Sequence, residues 1–318
     1  MNTGHESGWY HRLLLPLWNY DEQRPRAFWR ILGAVVITVL VPSVLTAVVV
    51  RPLDPPFALL NLLSNGIAVL TAVGVAAVWA GYIDRRGFAA YGFHLSKRWW
   101  RMLILGVGVG VLGWGGALAT DLALGWASVG TVLSPGTGEL PFLLSILLFG
   151  LSYVFVGLWE ELVFRGIVMR NAIEGLTTSW VSHRTALFGG WILSSVLFGV
   201  LHFSQAASLY ALAFWILAGL ILGLAYLYTD ELAVPIGLHF AIDVSVNNVF
   251  GLANVRNVAE DIPMLIRPEF TGPDTFVGLS GVVNTVWLVI IGVLTIGVIK
   301  WQYGSLTPRL EPYTRTET

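Results

Sequence analysis

Three short runs place ionisable side chains inside stretches that are otherwise almost wholly apolar. The first reads Trp159-Glu160-Glu161-Leu162-Val163-Phe164-Arg165, and the second reads Phe198-Gly199-Val200-Leu201-His202. The third reads His239-Phe240-Ala241-Ile242-Asp243, followed by Asn247 and Asn248. Carboxylates and imidazoles together supply what amide hydrolysis needs: a base that takes a proton from water, and donors for the oxyanion that develops. On a helix, Glu161 and Arg165 stand at i and i+4, the spacing at which a carboxylate meets a guanidinium. Glu160 lies about 100° round the same helix and has no partner at helical spacing, so it is the expected water-activating base. His239, Asp243 and Asn247 stand at i, i+4 and i+8, a polar stripe that must face protein or water. Each run alone has a plainer reading. Both glutamates could serve only to hold Arg165, and His202 could be a hydrogen-bonded helix contact. Three such runs on separate helices argue for one shared site.

The elements that carry these runs have to live in a bilayer. Of the 318 residues, 56% are hydrophobic and 12% charged, about half the charged share of a soluble domain. Spans of about 20 mostly apolar residues fall near 31–50, 57–82, 102–126, 142–170, 185–203, 207–228, 232–250 and 276–299. The expected fold is an all-α polytopic membrane helical bundle of about eight transmembrane helices. A cytosolic segment, 1–30, precedes a membrane domain, 31–300, whose catalytic core is about 140–250, and a cytosolic tail, 301–318, follows.

Of the 18 Lys and Arg residues, all but Arg51, Arg256 and Arg267 fall on one side of these spans. The positive-inside rule then puts both termini in the cytosol of a cell (plasma) membrane protein. Trp29, Trp79, Trp99, Trp100 and Trp301 sit at the inner ends, where an indole suits headgroup level. The glycines of the third span, among them Gly106, Gly110, Gly113 and Gly116, read as close helix packing. No cleaved signal peptide, internal repeat or soluble domain is expected. The chain has no cysteine, which excludes thiol nucleophiles, disulfides and Cys-based metal sites. A net charge of −1 without a basic run argues against nucleic acid as a partner.

One tension concerns depth. Glu160 falls toward the inner end of its span, whereas His202 ends a helix that enters from the inside. A short or broken fifth helix that starts above the membrane surface, with Ser204-Gln205 as a buried turn, would bring them level.

The set Glu-Glu-x-x-x-Arg, Phe-x-x-x-His and His-x-x-x-Asp, in this order on successive helices, resembles the CPBP family, which includes the Rce1-type CAAX prenyl endopeptidases. The resemblance covers about residues 140–250. It implies an intramembrane endopeptidase that hydrolyses membrane-associated or prenylated (CAAX-type) peptides. In that reading Glu160 and His202 activate water, His239 and Asp243 stabilise the oxyanion, and Glu161, Arg165 and Asn247 support them. Many relatives carry Asn at the last motif position. An ionised Asp243 would repel an oxyanion, so it is expected to carry a proton or to orient His239. The expected partners are a peptide or protein substrate, lipidated or not, and membrane lipid. No cofactor is expected, although Glu160, His202 and His239 form a donor set that zinc could also use. Other intramembrane protease classes fit poorly. His5-Glu6 lacks the second histidine of a zinc motif, no histidine follows Ser280 in Gly278-Leu279-Ser280-Gly281, and Gly-x-Gly-Asp is missing. A proton-coupled transporter or a non-proteolytic scaffold would use similar residues, although no inverted repeat supports transport.

Overall fold

A computed structural model of the chain describes residues 15–203, 208–253 and 262–310. It is a bundle of eight helices: α1 (Ala27–Leu53), α2 (Phe57–Ile83), α3 (Lys97–Ala123), α4 (Phe142–Leu176), α5 (His183–Leu201), α6 (Leu209–Thr229), α7 (Ala233–Val244) and α8 (Val282–Tyr303). All but α7 are long and apolar enough to cross a membrane, and the protein is an integral membrane protein. Side chains such as Leu70, Leu112 and Val48 point outward along the bundle, as lipid requires.

Helix α7 is the exception for a physical reason. It has 12 residues plus a five-residue π turn, Ser245–Val249, and it lies at the centre, packed against α3, α4 and α6. Glycine makes that position possible. A Cβ on Gly237 would stand 2.2 Å from the Leu103 carbonyl oxygen, and one on Gly110 would stand 2.5 Å from the Ala241 Cβ. The α3 and α7 backbones thus touch where side chains would hold them apart.

Helix α4 runs for 35 residues, about 50 Å at ~1.5 Å per residue, against a hydrocarbon core of about 30 Å. Glu160 therefore lies near its middle. This length, together with a short rather than broken α5 of 19 residues, brings Glu160 level with His202. Helix α5 is continuous from His183 to Leu201, with His202 as its C-cap residue. The expected Ser204-Gln205 turn lies outside the described residues.

The chain also forms two small antiparallel sheets. Strands β1 (Trp18–Asn19) and β2 (Arg24–Pro25) pair before α1. Strand β3 (Ala127–Ser134), after α3, pairs with β4 (Met264–Phe270), which follows α7, and the register is irregular between Val129 and Thr131. The last helix begins at Val282, not near 276, because Gly278 takes φ 85° and Gly281 closes a turn onto the Gly278 carbonyl.

At the opposite end of the bundle three arginines, Arg24, Arg30 and Arg86, are drawn into ion pairs. Arg30 reaches both Asp84 and Glu174 at 3.0 Å, Arg24 reaches Glu174 at 3.2 Å, and Arg86 also pairs with Glu174. Asp84 additionally accepts from the Tyr91 hydroxyl at 2.7 Å and from Asn171 at 2.9 Å. Burial, then the Asp84 carboxylate, hold the Tyr91 phenol well above its usual range, so it stays a donor at neutral pH. Two of the five end tryptophans are packing residues instead of headgroup anchors. Trp99 is buried and donates to the Gly92 carbonyl, and Trp79 donates to that of Arg30.

Candidate active site

Glu160 and Glu161 occupy the buried face of α4, which runs through Ser145, Phe149, Ser152, Tyr153 and Gly157 at helical spacing. Gly157 lets α7 approach: a Cβ there would lie 3.3 Å from the Ile236 carbonyl oxygen and 3.7 Å from the His239 Cβ. Immediately after Glu161 the helix widens into a π segment, Leu162–Met169, which carries Arg165. Such segments recur at functional sites because they re-aim side chains without ending the helix.

The three sequence runs converge. Glu160 Oε2 lies 3.6 Å from His202 Nε2 and 3.7 Å from His239 Nε2. Glu160 is 7% exposed, His202 9% and His239 4%. Both separations exceed a direct hydrogen bond and suit a bridging water. The opposite ring nitrogens fix the tautomers. His202 Nδ1 lies 2.8 Å from the Phe198 carbonyl oxygen and His239 Nδ1 lies 2.7 Å from Glu161 Oε1. Both partners are pure acceptors, so each Nδ1 carries a proton and donates, which turns both Nε2 atoms toward Glu160.

Glu161 is wholly buried and also accepts from Arg165 at 3.0 Å. Arg165 in turn donates to the Gly219 carbonyl of α6 at 3.1 Å and lies over the Phe198 ring at 4.5 Å. Asp243 Oδ2 stands 3.8 Å from His239 Nε2, too far for a hydrogen bond, and has no hydrogen-bond partner. Asn247 is turned to a different use. It lies in the π turn, and its amide donates to the Asp243 carbonyl at 2.9 Å rather than joining the cluster.

Two neighbours were not singled out by sequence. Trp215 of α6 stacks on His202, and the Gly219 carbonyl accepts from Arg165. Neither carries a local signal, since a tryptophan and a glycine in an apolar helix look like packing. Among the described residues no group of three or more His, Asp or Glu stands at metal-holding spacing.

Residues 141–245, which carry all three runs, match the family model described as type II CAAX prenyl endopeptidase Rce1-like. Over that third of the chain it is similar to the Rce1-like family. That family consists of hydrolases of peptide bonds. The matched Rce1-like stretch spans α4 to α7, so the first three helices and α8 lie outside it. No curated protein and no solved structure matches the chain.

Proposed function

We propose that this Rce1-like protein is an intramembrane endopeptidase in which Glu160 activates water. The observation that carries the reading is the convergence of Glu160 Oε2 and two imidazole Nε2 atoms on one buried point. A water held there gives its proton to Glu160 while its oxygen attacks the scissile carbonyl carbon. The proton then passes to the leaving amine as the C–N bond breaks, giving a carboxylic acid and an amine, between which a proton then moves to leave carboxylate and ammonium.

The two histidines differ in what stands behind them. His202 is backed by a neutral carbonyl, which fits a ring whose free Nε2 accepts from and orients the water. His239 is backed by the Glu161 carboxylate, which fits a ring protonated on both nitrogens that donates Nε2–H to the oxyanion. Asp243, facing the same nitrogen, contributes a second donor when it holds a proton. Glu161 and Arg165 hold His239 in place.

The substrate class is a membrane-associated protein, with a prenylated C-terminal peptide as the form the family suggests. Lipid surrounds the bundle, and both termini face the cytosol of the plasma membrane. No cofactor is required in this reading, although two imidazoles and a carboxylate are also donors that zinc accepts.

The test is cleavage of prenylated and unprenylated quenched peptides by purified protein and Glu160→Gln, with and without chelator. The expected outcome is a loss of at least about 10²-fold in Glu160→Gln and no chelator effect. Chelator sensitivity would move the mechanism to zinc. Equal cleavage by both proteins would remove Glu160 from the mechanism, and cleavage by neither would favour a transporter or scaffold.

A further inference from the structure

We propose that Trp215 is a positioning residue for His202, holding the imidazole so that Nε2 faces Glu160; this deepens the hydrolytic reading above and rests on it. His202 caps the end of α5, where the helical backbone no longer constrains the ring. Its one side-chain hydrogen bond among the described residues, from Nδ1 to the Phe198 carbonyl, pins a single atom and leaves the ring plane to be set by neighbours. Those neighbours are two aromatic faces. Phe198 lies at 4.4 Å and 33° to the imidazole, and Trp215 lies at 4.7 Å and 28°.

Phe198 belongs to the same helix turn as His202, whereas Trp215 comes from α6 and is the contact that references the ring to the rest of the bundle. Trp215 is itself anchored. It meets Phe214 edge-to-face at 5.7 Å, and Phe214 is buried and packs near Trp114. An indole face also suits the ring electrostatically whenever His202 shares the proton taken from water, because its quadrupole attracts positive charge. A leucine could fill the volume but offers no face.

The experiment compares the full-length protein with Trp215→Phe and Trp215→Leu, using the peptides whose cleavage Glu160→Gln abolishes. The ring protons of His202 are followed by NMR in parallel and assigned by their loss in His202→Asn. Trp215→Phe is expected to keep kcat within about threefold of the parent. Trp215→Leu is expected to lower kcat about tenfold or more with KM within about twofold, as befits a misplaced group rather than lost binding. The His202 ring protons should move downfield in Trp215→Leu as the indole ring current is removed.

An unchanged kcat in Trp215→Leu would overturn the proposal. So would equal impairment of Trp215→Phe and Trp215→Leu, or an effect confined to KM. If the parent protein cuts no peptide, the hydrolytic reading fails on its own and the NMR arm decides. A His202 ring signal that broadens or splits in Trp215→Leu, beyond the shift that losing the indole brings by itself, then supports the positioning role, and a single sharp one ends it.

Discussion

Glu161 holds two cations or donors at once, Arg165 at 3.0 Å and His239 Nδ1 at 2.7 Å, with no water-accessible surface. Removing one member of such a set leaves the other charge buried and uncompensated, which costs about 3–5 kcal/mol, whereas removing both can cost much less. Glu161→Gln and Arg165→Met are therefore each expected to lower the unfolding midpoint in detergent sharply, and the double variant to recover part of the loss. Activity should not recover with it, because His239 would lack the carboxylate that favours its charged form. Asp243 offers a second residue-scale prediction. Asn donates where a protonated carboxyl would, so Asp243→Asn should keep at least about a tenth of the parent kcat, whereas Asp243→Leu should lose about 10²-fold, measured on one peptide. At this scale the sequence was informative where partners are local. The Glu161–Arg165 pair could be read from i and i+4 spacing. The Glu161–His239 bond bridges 78 positions, and Trp215 reaches His202 from another helix, so neither leaves a local pattern.

Among the elements, α7 depends on backbone contact with α3. Gly237→Ala would drive its Cβ against the Leu103 carbonyl, where rigid backbone cannot yield, and should destabilise by about 1–3 kcal/mol. Gly150→Ala, with nothing within 4 Å, should be neutral or slightly stabilising by helix propensity; thermal unfolding in one detergent compares the two. The eight helices were legible because each apolar run is long and uninterrupted. The inner part of α4 was not, since Arg170, Asn171 and Glu174 look like a solvated end by composition. They are helical because Asp84 takes Asn171, three arginines take Glu174, and Asp230 takes Arg170. The β3–β4 pairing also escaped a reading tuned to helices, although the Val129, Thr131 and Val132 run between Gly125 and Pro135 is β-branched.

At the scale of the whole molecule, the bundle is fastened at both ends. At one end, the Asp84–Glu174 cluster joins α1, the segment after α2 and the end of α4, while the tail folds back over α6. There the Arg309 amide bonds the Leu227 carbonyl, His183 donates to the Leu310 carbonyl, and the Leu310 side chain is buried. Leu310→Asp should therefore lower thermal stability measurably while leaving KM unchanged, because the buried leucine lies far along α5 from His202. The other fastening, β3 with β4, closes a loop around every residue of the candidate site. That order has a consequence for biosynthesis. During translation, Glu160, His202, His239 and Asp243 all leave the ribosome before Met264 does, so the clasp is the last of these features to form. A ribosome-arrested chain whose emerged part ends just before β4 would hold the whole candidate site in an unfastened bundle. Protease protection of such chains should rise in one step once Phe270 clears the exit tunnel, which would couple the onset of proteolytic competence to near-complete synthesis.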